Sequence, residues 1–202
     1  MDDAREPNPD RSSGESVPDV LERTLVEHFG HQPDRASLAF LGADPVQILR
    51  FRAGSGRVSL VTLGMSATPM TPADADLTST TGPRAELVLT LHSDQRWADV
   101  WRRLAVLAAA PQIEAVVYAA GMTLDLGEPL VQRSQCTGFM VTASELPVPR
   151  TLDDTSIFAV VPATANELAF SRVRGSDELL LRWAAAGTDL EDLGRTSVAL
   201  DR

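Results

Sequence analysis

Val46-Gln47-Ile48-Leu49-Arg50-Phe51, then Ala53-Gly54-Ser55-Gly56, then Arg57-Val58-Ser59-Leu60-Val61-Thr62-Leu63, is the stretch that decides the fold. Two runs rich in β-branched and aromatic residues flank a short glycine-containing link, which predicts an antiparallel hairpin. Gly54-x-Gly56 reads as its turn and not as a phosphate cradle, since the third glycine and the following helix are missing. Downstream, Ala85, Leu87, Leu89 and Leu91 alternate along 85–91 and predict a strand with one buried face. After Ser93-Asp94 the period lengthens. Trp97, Val100, Trp101, Leu104 and Leu107 recur at helical spacing and predict a core-facing helix that ends before Pro111, with both tryptophans buried.

Working outward, residues 1–15 carry Pro7, Pro9, Ser12, Ser13 and Gly14 with almost nothing apolar, and read as a disordered arm. Ser16 and Asp19 have capping-box spacing, Leu21, Leu25 and Phe29 share a helical face, and Gly30 stops the helix. Further strands are expected around Ala115–Tyr118, Gly138–Ala143 and Ile157–Val161. Thr164 and Glu167 form a second capping box. Gly175 separates that helix from one at 176–186, whose buried side is Leu179, Leu180, Trp183 and Ala184. The expected organisation is an arm over 1–15, one domain over 16–186 and an acidic tail over 187–202. The expected class is α+β, an α/β sandwich with a mixed, largely antiparallel sheet flanked by helices.

The 202 residues suit one domain, and 44% hydrophobic with 23% charged residues is ordinary globular composition. A formal net charge of −10 argues against nucleic acid and anionic membranes and favours a basic partner. No apolar run is long enough to span a bilayer. The one cysteine, Cys136, excludes an internal disulfide and a cysteine-based zinc cluster. With an acidic, polar N-terminus unlike a signal peptide, it points to the cytoplasm. All 18 basic residues are arginine, which looks like the codon bias of a GC-rich bacterial genome.

The segment Leu60-Val61-Thr62-Leu63-Gly64-Met65-Ser66-Ala67-Thr68-Pro69-Met70 resembles the signature of the suppressor of fused (SUFU) family. Arg84-Ala85-Glu86-Leu87-Val88-Leu89-Thr90-Leu91 is similar to the family's Ala-Glu-Leu strand, and the helix 101–111 follows in the right order. Gly121-Met122-Thr123-Leu124 is similar to a Gly-His-Thr-Ile element. Val161-Pro162 with Asn166-Glu167-Leu168-Ala169-Phe170 resembles the closing helix region. The likeness covers roughly residues 25 to 185. Met122 departs from a common histidine, and Ala67 from a common acidic residue. The resemblance implies an α/β sandwich and a protein-binding role. Animal members sequester a transcription factor, and many bacterial relatives are proposed immunity proteins. The second domain of animal members does not fit in this chain, so a two-domain clamp would need a homodimer.

The signature residues are Thr62, Gly64, Met65, Ser66, Met70, Glu86, Leu87, Gly121, Thr123 and Glu167. Gly64 suits a positive-φ turn, Ser66 can bond nearby backbone donors, and Met65 and Met70 can fill core gaps. Glu86 on a strand either meets a partner or ties down the signature loop; Glu167 is expected to cap its helix. No catalytic constellation, metal site or cofactor site is evident. His28, His31 and His92 form no metal or triad pattern, and Asp74-x-Asp76 lacks the other ligands of a calcium loop. The reading is a non-enzymatic cytoplasmic protein-binding module, an immunity protein that neutralises a toxin. The alternatives are an adaptor that sequesters a regulator and an enzyme acting on a small molecule. The long polar loop from Met65 to Pro83, with Asp74 and Asp76, is the expected contact surface.

Overall fold

The computed structural model describes residues 15–54, 56–75, 81–94 and 97–200, with backbone alone for 97–99. Of the arm read over 1–15, only Glu15 lies inside the described residues. Ser16 caps helix α1 (Val17–Phe29) in the box expected with Asp19, and Gly30 closes it at φ 72°. Among the described residues seven strands follow: β1 (Asp34–Phe40), β2 (Ala43–Arg52), β3 (Arg57–Leu63), β4 (Arg84–His92), β5 (Thr123–Asp125), β6 (Cys136–Ala143) and β7 (Thr155–Thr164). Helix α2 (Trp97–Glu114) leads out of β4. Helices α3 (Ala165–Arg174) and α4 (Ser176–Ala186) follow β7.

The strands form one sheet in the order β1-β2-β3-β4-β7-β6-β5. Every neighbouring pair is antiparallel except β4 and β7, where Arg84 aligns with Thr155 and Val88 with Ala159. This is the mixed, largely antiparallel α+β sheet expected from the sequence, with the hairpin β2–β3 at 46–63 as read.

Strand alternation sorts the core into faces. Leu49, Phe51, Val61, Leu63 and Val88 pack with Leu21 and Leu25 of α1. Their neighbours Ile48, Val58, Leu60, Leu87, Leu89 and Leu91 pack with Val100, Leu104 and Ala108 of α2. Met140 and Ala163 meet Leu168, Leu179 and Trp183, so α3 and α4 cover the β6–β7 end. Each fully buried leucine contributes about 1.5–3 kcal/mol over an exposed one, so the three clusters hold the sheet between its helices.

Several expectations are corrected. Helix α2 does not stop before Pro111 but runs through it to Glu114. Proline removes the N–H that would bond the Leu107 carbonyl, and the Tyr118 hydroxyl donates to that carbonyl instead at 2.7 Å. Residues 115–118 form no strand: Ala115 ends the helix at φ 56°, and Tyr118 is drawn into the core. Trp101 is half-buried, packed on the core edge with the Arg102 guanidinium 4.9 Å from its ring centre. On α4 only Leu179 and Trp183 are buried, whereas Leu180 and Ala184 are exposed. Strand β1, absent from the sequence reading, forms the sheet edge beside β2, and β5 forms the other.

The segment after Gly187 is not a tail set apart from the domain. Leu193 is buried in the α2-side core, Ser134 donates its hydroxyl to the Leu193 carbonyl at 2.5 Å, and Arg195 is 7% exposed.

Candidate functional site

The signature loop is built around Glu86, whose side chain is closed to water. Its Oε1 accepts from the Gly64 N–H at 2.9 Å, the Ser66 N–H at 2.9 Å and the Ser66 hydroxyl at 2.6 Å. Its Oε2 accepts from the Thr62 hydroxyl at 2.6 Å, and Thr62 Oγ1 in turn accepts the Leu87 N–H at 2.7 Å. Gly64, at φ 118°, turns the chain so that these donors converge; a Cβ there would lie 3.0 Å from the Pro45 carbonyl oxygen. Ser66 therefore donates to a carboxylate and does not cap backbone N–H groups as expected. Burial pushes the Glu86 carboxyl above its ordinary value, against the pull of the Ser66 and Thr62 hydroxyls and the Ser66 and Gly64 amides. Arg84 closes the arrangement from outside, donating to the Ser66 and Ala67 carbonyls at 2.8 and 2.6 Å.

A second buried carboxylate, Glu167, does more than cap α3. Besides the box with Thr164, it accepts from Arg195 Nη1 and Nη2 at 2.8 and 2.9 Å, from the Trp183 indole at 3.0 Å and from the Val198 N–H at 3.0 Å. Burial works to raise this carboxyl, but the Arg195 guanidinium, the Thr164 and Val198 amides and the Trp183 indole together hold it below its ordinary value. Arg195 also stacks over Trp183, 5.4 Å from the ring centre. Sequence reasoning missed Arg195, and the only available signal was an arginine standing alone beyond the acidic run 189–192.

The structure thus brings Thr62, Gly64, Ser66, Glu86 and Leu87 together and places the rest elsewhere. Met65 and Met70 are buried in the α2-side core, and the Met70 sulfur accepts the Tyr118 N–H at 3.4 Å. Gly121 lies against Ser176, and Thr123 on β5 accepts from Arg172 Nε at 3.0 Å. Asp74 is exposed on the signature loop; Asp76 lies outside the described residues.

Cys136 is buried, and burial pushes its thiol up. His92 pairs with Asp189 at 2.8 Å, and that carboxylate raises the imidazole. Among the described residues no group of three or more His, Cys, Asp or Glu side chains could hold a metal ion. Nor is any helix there long and apolar enough to cross a membrane. A cleft of about 700 Å³ opens on the α1 face between His28 and Phe29 at the helix end and residues 144–146, above Ser59, Thr90 and Ala159. The Ser59 hydroxyl bonds that of Thr90 at 3.0 Å, and among the described residues it meets no base.

At the opposite end of β2, Gln112 of α2 bridges three segments. The Asp44 N–H donates to Gln112 Oε1 at 2.7 Å, while Gln112 Nε2 donates to Asp44 Oδ2 at 3.2 Å and to Thr68 Oγ1 at 2.9 Å. One glutamine thereby joins the start of β2, the last turn of α2 and the signature loop.

The sequence profile of the suppressor of fused protein (SUFU) family matches residues 42–196, which takes in both Glu86 and Glu167. The chain belongs to the SUFU family. The match runs past Gly187, so Arg195 lies within the SUFU region. Among solved structures, the chain resembles a SUFU homologue from Neisseria gonorrhoeae at 18% identity, over 92% of this chain and 98% of that one, with a TM-score of 0.68. It resembles a chain of the Sufu–Fu complex at 10% identity, over 93% and 91%, with a TM-score of 0.62. Drosophila Suppressor of Fused matches at 10% identity over 89% of this chain and 50% of that one, with a TM-score of 0.61. At these identities the likeness is one of SUFU fold. No curated protein sequence matches.

Proposed function

We propose that this chain is a non-enzymatic protein-binding module, and that its partner is a toxin which it neutralises inside the cell that makes both. One observation carries the reading. The two carboxylates buried among the described residues, the groups best suited to acid–base work, are each saturated by donors of their own chain. They are spent on holding shape, and shape is what a binding protein offers a partner. A solved relative in complex with Fu supports binding as the use of this fold.

The acidic charge favours a basic partner, whose encounter it would accelerate. The signature loop, with Asp74 and Asp76, is the contact region in this reading. Affinity capture from native lysate with identification of the bound protein is the deciding experiment. A toxin whose activity is blocked by stoichiometric addition of the protein supports the proposal. A bound regulator moves it to the adaptor alternative, and absence of any saturable protein partner overturns it. Asp74→Arg with Asp76→Arg should slow association with the captured toxin and flatten its salt dependence.

A further inference from the structure

Strands β1 and β2 are joined by a two-residue turn, since Phe40 pairs with Ala43. Gly42 supplies the positive φ of 86° that such a turn needs, but its companion is Leu41, which is fully exposed. Turn tips ordinarily carry Gly, Asn, Asp or Ser, and nothing in the hairpin requires a leucine there. Ile113, in the last turn of α2, is half-exposed. Gln112 joins the two segments that carry them: Leu41 stands three residues before Asp44, and Ile113 directly follows Gln112.

The exposed charged residues next to these anchors in sequence are acidic, and the nearby Arg84 guanidinium is engaged by the Ser66 and Ala67 carbonyls. Asp44 and Glu114 are exposed, and neither makes an ion pair among the described residues. Asp74 is exposed on the loop tied to the same glutamine through Thr68. The last turn of α2 contains no basic residue, so Glu114 adds to the negative end of the helix dipole where a cation would be favoured. The missing cation is one that a partner can supply.

We propose that the β1–β2 turn and the C-terminal end of α2 form a docking face for a basic protein surface that bears an apolar recess. Leu41 and Ile113 are the anchors; Asp44, Glu114 and Asp74 with the α2 carbonyls provide the complementary field. The inference rests on the protein-binding reading above and names the surface and partner chemistry for it. Apolar anchors within a charged rim are how compact interfaces concentrate their binding energy.

The probe is a synthetic amphipathic helix of leucine and lysine, with a leucine and glutamate helix of the same length as control, titrated into the labelled protein by NMR. The expected result is saturable shifts at Leu41, Gly42, Asp44, Ile113 and Glu114 with the lysine peptide alone. Leu41→Ser with Ile113→Ser, both at exposed positions, should weaken binding about tenfold or more. Asp44→Asn with Glu114→Gln should reduce the salt dependence. Equal response to both peptides, shifts centred elsewhere, or unchanged affinity of the Leu41→Ser, Ile113→Ser protein overturns the surface. Self-association lost in that same variant overturns it in favour of a second copy of this chain. If the variant still captures the native partner as the parent does, the surface fails while the protein-binding reading stands. If neither captures one, that reading fails.

Discussion

Arg195 and Glu167 meet through two parallel hydrogen bonds of 2.8 and 2.9 Å in a site closed to water, and this contact fastens the end of the domain to the first turn of α3. Removing one partner of a buried pair leaves the other charge uncompensated, so Arg195→Ala should cost about 3–5 kcal/mol in denaturant unfolding. The Glu167 carboxyl is held below its ordinary value of 4.5. Its contribution is therefore complete above the unfolded value and is lost as pH falls through the depressed folded value. The stability gap between the parent protein and Glu167→Gln should close on acidification; a gap constant from neutral to acid pH would contradict this.

Glu86 has the opposite sign. Its folded value is raised, so folding takes up a proton and stability falls as pH rises from the ordinary carboxylate range through the raised value. Glu86→Gln should abolish that slope. Glu86→Ala would leave the Gly64 and Ser66 amides without an acceptor, each at about 1–3 kcal/mol. Amide exchange at these two residues should rise before global unfolding.

Tyr118→Phe should cost about 1–3 kcal/mol by stranding the Leu107 carbonyl. Pro111→Ala restores an N–H at the helical position that serves this carbonyl. Adding it to Tyr118→Phe should recover a large part of the loss. Additive costs in the double-mutant cycle would show that the hydroxyl does not substitute for the missing proton.

Gly138→Ala is expected to dislodge β5. A Cβ there would stand 1.9 Å from the Leu124 carbonyl oxygen and 2.8 Å from the Asp125 Cα, both backbone atoms of the strand paired with it. The cost should be at least about 1–3 kcal/mol. Loss of exchange protection confined first to 123–125 is the measurement that checks it.

What was legible in the sequence was local. Ser16 with Asp19 and Thr164 with Glu167 are three residues apart, so the caps could be read from spacing. The alternation at Ala85, Leu87, Leu89 and Leu91 marked the α2 face of β4. Strand β1 was illegible because Asp34, Arg35, Ala36 and Ser37 carry weak strand preference and, at an edge, little burial. Pro111 was misread because its compensation comes from Tyr118, outside the helix. The stripe through Trp101 gave the direction of the helix but not its position at the sheet margin, where one side of the ring stays open. Glu86 was one of two readings until its four donors were placed. Arg195 could not be paired with Glu167 from spacing, since only tertiary structure joins them.

The parallel pairing of β4 with β7 has a consequence for synthesis. The meander β1 to β4 is complete once His92 has left the ribosome, yet the outer edge of β4 stays bare until β7 arrives. That edge includes Leu87 and Val88, in the apolar run 87–89, and until Phe158 and Ala159 emerge it is open to any extended chain nearby. Slow translation between residues 92 and 164 would lengthen this exposure. Aggregation yield should therefore respond to codon choice in that interval far more than to codon choice before it.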